Sequence, residues 1–311
     1  MGRHLVSLRT SAGKVKAGAS ALARRPIIRL RLRRVQRLVN DGMLPEMRAA
    51  LEYLVTGRED PTARTIAERA EGRRTEIANG VGTIPVWSSP RPGDHSEKAA
   101  KGLRPEPGEV KDFSMAKVAT LGKHRKWGVT LYLLAREFGC TFGVELGACA
   151  GISGMYVASA PTMATFITVE GSTPLSEIAR QSLDPFPGAS VVNSLFDDAL
   201  DSLLPRLVGR VDFAFVDGHH EKLATIHYVD RLRPALKHGA LVVFDDISWS
   251  FDMRQAWDLL RVGNQWSYAI DLGEFGICIY RDQSSPTAPT LHWELHTIVG
   301  RRPITGSDGP S

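Results

Sequence analysis

Long apolar runs are missing from this 311-residue chain. A membrane-spanning helix needs roughly 18 consecutive apolar residues, and the longest stretches here, such as Ala240 to Phe244, have the length of buried strands. Cysteine is scarce. Cys140, Cys149 and Cys278 form no metal-type CxxC pair, and their odd number argues against a disulfide framework, so a reducing cytoplasm is the expected compartment. Acids are absent from the first 38 residues, which hold eleven Lys and Arg residues between Arg3 and Arg37. Removing those eleven charges from a net +5 leaves −6 for the remainder, so the basic character belongs to an arm and not to the body.

From Pro26 to Leu38 that arm alternates Arg with Ile, Leu and Val. The pattern fits a solvated arm, and equally a helix lying on an anionic surface of lipid headgroups or nucleic acid; an Arg-rich, acid-free start also mimics a transit peptide. Peripheral membrane attachment is therefore the alternative to a purely cytoplasmic location, although Val6 stands where a myristoylation pattern needs Ser or Thr. Residues 44–57 carry helical apolar spacing (Leu44, Met47, Leu51, Leu54), with Pro45 suited to a first turn. Residues 61–78 read as a second helix, ended by Asn79-Gly80. The stretch from Val81 to Val110 is rich in Pro and Gly and reads as a linker or long loop. A helix is expected again from Phe113 to Phe138, with Trp127, Leu131, Leu134 and Ala135 on its apolar face.

Beyond that point strands and helices alternate. Strands are expected at 141–146, 164–169, 190–193, 211–216 and 240–244, each followed by a helix, with two last strands at 267–271 and 276–280. Short apolar strands alternating with helices imply an α/β fold, a doubly wound and mostly parallel sheet of seven strands with helices on both faces. The expected division is a basic arm (1–40), a helical segment with a linker (41–112), an α/β domain (113–283), and a C-terminal strand with a flexible tail (284–311).

Ligands of such sheets bind at the carboxyl ends of the strands. After the first strand stands Glu145-Leu146-Gly147-Ala148-Cys149-Ala150-Gly151. Glycines here let the backbone approach a ligand, and the next helix offers free N–H groups. The dinucleotide spacing G-x-G-x-x-G is absent, broken by Cys149, which disfavours a nicotinamide-dependent oxidoreductase. Glu145, two residues before the first glycine, suits a cationic ligand such as a methionine moiety with an amine and a sulfonium. Glu170 ends the second strand, placed to accept from two ribose hydroxyls. Asn193-Ser194, after the third, reads either as an adenine contact or as a capped strand-to-helix turn.

The fourth strand ends in Asp217-Gly218-His219-His220 and the fifth in Asp245-Asp246. Neighbouring parallel strands bring these ends together, and such a density of charge requires pairing, protonation or a metal. Asp217, Asp245 and Asp246 are the candidate metal ligands, their oxygens suiting Mg²⁺, Mn²⁺ or Ca²⁺. Transfer to an acceptor hydroxyl needs a base: His220 is the first candidate and His219 the second, with Asp217 also at the chemical centre. For both histidines the competing reading is a structural cap on the helix starting near Glu221.

Val144 to Gly151 resembles motif I of class I S-adenosylmethionine-dependent methyltransferases, E-x-G-x-G-x-G, with Cys149 at the middle glycine. Asp217-Gly218-His219-His220, Thr225, Tyr228, Asp245-Asp246-Ile247-Ser248-Trp249-Ser250, Ala256-Trp257 and Ile270 to Gly276 together resemble a bacterial group related to small-molecule O-methyltransferases. The resemblance covers about residues 113–282. It implies a Rossmann-like seven-stranded sheet and S-adenosylmethionine as cofactor, with Glu145, Gly147, Ala148, Cys149 and Gly151 near the methionine part, Glu170 on the ribose, and Asn193, Ser194 and Asp217 nearby. In metal-dependent relatives the places of Asp217, Asp245 and Asp246 bind Mg²⁺. The expected activity is methyl transfer to a small-molecule or glycan hydroxyl. A scaffold protein tethered by its basic arm is the alternative; a homo-oligomer, an anionic membrane surface and nucleic acid complete the expected partners.

Overall fold

The computed structural model describes residues 26–87, 110–282, 284 and 288–300. Expectations for residues 1–25, for the linker over 88–109 and for the tail beyond 300 lie outside them. Residues 26–40 form a helix (α1) that is not wholly solvated: Val35 is fully buried, and Ile28 and Leu32 pack against the core. A short 3-10 turn, Pro45–Met47, leads into α2 (Arg48–Thr56), which Gly57 ends in a left-handed conformation. The helix α3 (Pro61–Ala78) starts on Asp60, whose Oδ1 accepts from the Ala63 N–H at 2.8 Å.

Two strands come next, and the first is a finding. Thr83–Trp87 (β1) pairs antiparallel with Val110–Ser114 (β2), Ile84 opposite Phe113. Pro85 disguises β1 as loop, because proline cannot donate to a ladder and is confined to edges. The pair straddles the division expected near 112–113.

The single helix expected over 113–138 is broken in two. Met115–Val118 (α4) is one turn, residues 119–124 leave the helical path, and Arg125–Glu137 (α5) begins anew. Orphan carbonyls at a helix end need donors. Here the Arg74 guanidinium, reaching from α3, donates to the carbonyls of Ala119 at 2.5 Å, of Gly122 at 3.4 Å and of Lys123. Ion pairs tie the α2–α3 corner to α5: Arg125 grips Glu59 through two bonds of 2.8 and 2.6 Å, and Arg136 meets Asp60 at 2.7 Å.

The remaining elements alternate as expected: β3 (Phe142–Leu146), α6 (Ile152–Ala158), β4 (Thr165–Glu170), α7 (Thr173–Leu183), β5 (Ala189–Asn193), α8 (Phe196–Leu207), β6 (Val211–Val216), α9 (Lys222–Leu232), β7 (Leu236–Phe244), α10 (Phe251–Leu260), β8 (Trp266–Asp271) and β9 (Gly276–Tyr280). The sheet has eight strands in the order β10-β8-β9-β7-β6-β3-β4-β5. Seven follow the expected Rossmann-like doubly wound layout; the eighth, β10 (Leu291–Glu294), extends the edge in parallel with β8. Only β9 runs antiparallel to its neighbours.

Both faces are covered, as alternation along a strand requires. On β7, Leu241 and Val243 join the core that also holds α2, α3, α5 and α6, while Val242 and Phe244 join the one formed with α8, α9 and α10. The N-terminal helices thus share a core with the sheet. From β3 the chain winds outward to β4 and β5, then returns to β6 on the other side, which opens a crevice at the carboxyl ends of β3 and β6.

Candidate active site

Gly147 follows β3 directly and presses against the end of β6. A Cβ at this position would lie 1.9 Å from the Asp217 carbonyl oxygen, and its φ of +107° is one that only glycine adopts readily. The Asp217 N–H in turn donates to the Leu146 carbonyl at 2.9 Å, which locks the two strand ends side by side. Cys149 stands in the left-handed region at φ 48°, the backbone state that a middle glycine would take. Its N–H donates to Glu170 Oε2 at 2.8 Å, and Glu170 Oε1 accepts from the Ser172 N–H at 2.8 Å. The carboxylate at the end of β4 is thereby held against the loop. Burial raises the Glu170 pKa, with these backbone donors acting against it.

Glu145 lies fully buried beneath the loop and accepts from the Thr168 hydroxyl at 2.5 Å. Burial pushes its pKa up to about 7; the hydroxyls of Ser153 and Thr168 oppose the rise and the charge of Glu170 adds to it. Asn193 turns its amide to the backbone, donating to the carbonyls of Glu170 at 2.9 Å and Gly171 at 3.3 Å, and the Ser194 N–H also donates to Glu170 O. Their described contacts are those of a cap between strand and helix.

Asp217, Asp245 and Asp246 converge as the strand ends require, and ligand atoms of Asp217, His220 and Asp245, and of Asp245, Asp246 and Glu274, fall within 4.8 Å of one another. Sequence reasoning missed what stands among them. Lys123, delivered by the break between α4 and α5, places Nζ in contact with Asp245, 3.7 Å from Asp246 and 4.0 Å from Asp217. Burial works against the ammonium, but the three carboxylates outweigh it and raise the Lys123 pKa. Burial and then the Asp217 charge hold Asp245 well above the usual carboxylate range; burial also raises Asp217, against the pull of Lys123. The only sequence signal for Lys123 was Gly122 beside it, inside an apparently helical stretch. As a resident Mg²⁺ site the arrangement does not fit: a hard cation needs the carboxylate oxygens that already face a buried ammonium.

The two histidines part company. His219 turns back into the fold, its Nδ1 3.0 Å from the Tyr228 hydroxyl, its ring stacked on Tyr228 and edge-on to Phe196. His220 faces the acid centre, with Nε2 3.6 Å from Asp217 and Nδ1 3.8 Å from Asp246. Its ring lies 5.7 Å from that of Trp249, which is half exposed, whereas Trp257 is buried against Phe244.

Residues 144–247, from within β3 to just past β7, match a family model described as a methyltransferase domain. Over that third of its length the chain is similar to methyltransferase domains. No curated protein matches the chain. Among solved structures, a putative O-methyltransferase from Klebsiella pneumoniae is 16% identical, with 75% of this chain and 97% of that one covered at a TM-score of 0.48. An O-methyltransferase from Bacillus cereus in complex with S-adenosylhomocysteine is 16% identical over 74% and 94%, at 0.47. One from Streptomyces achromogenes involved in tomaymycin synthesis, in complex with S-adenosylmethionine, is 18% identical over 72% and 92%, at 0.46. Among the described residues no helix is long and apolar enough to cross a membrane.

Proposed function

We propose that this domain transfers a methyl group from S-adenosylmethionine to a hydroxyl of a small-molecule or glycan acceptor, with His220 taking the proton. The observation that carries this reading is the His220 imidazole, set between Asp217 and Asp246 at the strand ends beside the cofactor loop, with the open Trp249 ring next to it. When bound, S-adenosylmethionine supplies an electrophilic methyl on a sulfonium. The residues present fit it: Glu145 and Glu170 provide carboxyl groups for a cation and for ribose hydroxyls, beside a loop that Gly147 allows to press against the end of β6. Asn193 and Ser194, at the end of β5, would stand on the adenine side when the cofactor is bound.

At the acceptor, His220 would take the hydroxyl proton as the oxygen–carbon bond forms and the methyl–sulfur bond of the sulfonium breaks, with S-adenosylhomocysteine as the leaving product. Trp249 forms one wall for an acceptor ring or sugar face. His219, held by Tyr228, supports the turn and is not the base. Calorimetric titration with S-adenosylmethionine tests the cofactor, and transfer of labelled methyl to a panel of hydroxylated metabolites and glycans tests the chemistry. Absence of cofactor binding, or full turnover by His220→Ala on an identified acceptor, overturns the reading. Association of the basic residues 1–38 with anionic vesicles or nucleic acid, and self-association, are separate proposals that sedimentation at graded salt tests.

A further inference from the structure

We propose that Lys123 is the resident cation of the acid centre, standing where a divalent ion would, so that this methyltransferase binds no divalent metal there, and that Arg74 is the residue that holds Lys123 in place.

The argument begins with charge. Three carboxyl groups, with Asp245 wholly buried, sit at the ends of β6 and β7, and an uncompensated cluster of this kind does not persist in a folded protein. A metal is one solution and an internal ammonium is another. Here the ammonium meets all three carboxylates from within 4.0 Å, and the Lys123 side chain is only 11% exposed. A divalent ion needs oxygen ligands at about 2.0–2.6 Å, so it would have to displace Nζ from Asp245 and then tolerate a positive charge at short range.

Lys123 is not a surface side chain that swung inward. Its backbone is clamped by Arg74, which donates to the carbonyls of Ala119, Gly122 and Lys123. Arg74 is oriented in turn by Glu71 at 3.0 Å, and Glu71 also accepts from the Tyr156 hydroxyl at 3.3 Å, on the helix that follows the cofactor loop. A chain of polar contacts thus runs from α6 through α3 to the break at 119–124, and it ends on the backbone of Lys123. Arg74 touches neither the acids nor His220 through any described contact; it is a positioning residue. Within the proposed reaction Lys123 supplies fixed positive charge beside the acceptor oxygen, the service a metal would perform for a developing alkoxide or phenolate.

The inference deepens the proposed function of this site, but its test does not pass through turnover. The full chain, stripped with chelator, is titrated with Mn²⁺ and followed by electron paramagnetic resonance and by thermal unfolding. Wild type is expected to leave Mn²⁺ free and to show no rise in melting temperature. Lys123→Met leaves the acids without a cation, and is expected to melt lower, to bind one Mn²⁺, and to regain melting temperature as it binds; Lys123→Met with Asp245→Asn is expected to lose that binding. Arg74→Met, with the clamp released, is expected to bind Mn²⁺ more weakly than Lys123→Met and more tightly than wild type. Stoichiometric Mn²⁺ binding by wild type that Asp245→Asn abolishes overturns the proposal, as does a folded Lys123→Met that binds none. Should Lys123→Met fail to fold without metal, refolding in Mn²⁺ supports the proposal, and the wild-type titration still decides it. S-adenosylmethionine binding, measured on the same samples, separates this proposal's failure from that of the proposed function.

Discussion

Glu145→Gln is expected to make the protein more stable at alkaline pH. The wild-type carboxyl is fully buried and its pKa is pushed up to about 7 from an ordinary 4.5, because burial disfavours the charge more than two hydroxyls favour it. A folded-state pKa above the unfolded one means that the native state holds the proton more tightly. That contribution is complete below the unfolded pKa and is lost as pH rises through about 7. At 1.36 kcal/mol per unit the raised pKa corresponds to about 3 kcal/mol between pH 4 and pH 8. Glutamine mimics the protonated carboxyl and cannot ionise. Urea unfolding at pH 4 should therefore give nearly equal stabilities, and at pH 8 the variant should lead by about 3 kcal/mol. Asp217, Asp245 and Glu170 also have raised pKa values, but they are present in both proteins and leave the difference curve largely to Glu145. A variant that loses the same stability at every pH would refute the reasoning, since the carboxyl would then be ionised in the native state throughout. A second readout follows from the first. If the cationic end of the cofactor reaches Glu145, binding near pH 6 should release close to one proton; calorimetry in buffers of different ionisation enthalpy measures it, and Glu145→Gln should abolish the release.

Gly147→Ala should cost about 3 kcal/mol or more, from a Cβ driven into the Asp217 carbonyl and a backbone forced to positive φ; thermal unfolding and cofactor titration check it, and unchanged values would show that the strand ends are not locked as described. His220→Ala should lower turnover by about 10²–10⁴-fold, whereas His219→Ala should act mainly on stability through the lost contact with Tyr228. Cys149→Gly should keep cofactor affinity, since the left-handed φ of 48° suits glycine better than cysteine. Asp60→Ala should cost about 1 kcal/mol by removing the cap of α3, read as a lower midpoint in urea.

Much of the fold is legible along the chain because the inner strands are apolar and short, and residues such as Asp60 and Gly57 mark helix ends. The segments 211–216 and 276–280 read as strands with the bounds the structure gives them. The approach of Asp217 to Asp245 follows from parallel order alone. Other features are written in contacts and not in local pattern. Pro85 conceals β1, whose partner is more than twenty residues away. The break at 119–124 lies within a stretch of helical periodicity, and what ends the helix there is Arg74, from a different helix. Lys123 was therefore read past, although it meets the same three acids that sequence reasoning singled out. The choice between His219 and His220 likewise rests on two adjacent positive-φ residues, at 62° and 21°, that send neighbouring rings in opposite directions.

The Arg74 clamp bears on anyone who would trim or transplant this catalyst. A fragment begun at α4, just ahead of the Rossmann-like sheet, would keep the three acids, both histidines and the whole glycine loop after β3, yet it would discard the helix that anchors the loop bearing Lys123. Such a fragment would leave Asp217, Asp245 and Asp246 facing a Lys123 whose backbone is no longer clamped. The smallest portable unit is set by where the charge balance closes, and that lies well upstream of the first strand of the sheet, at or before α3.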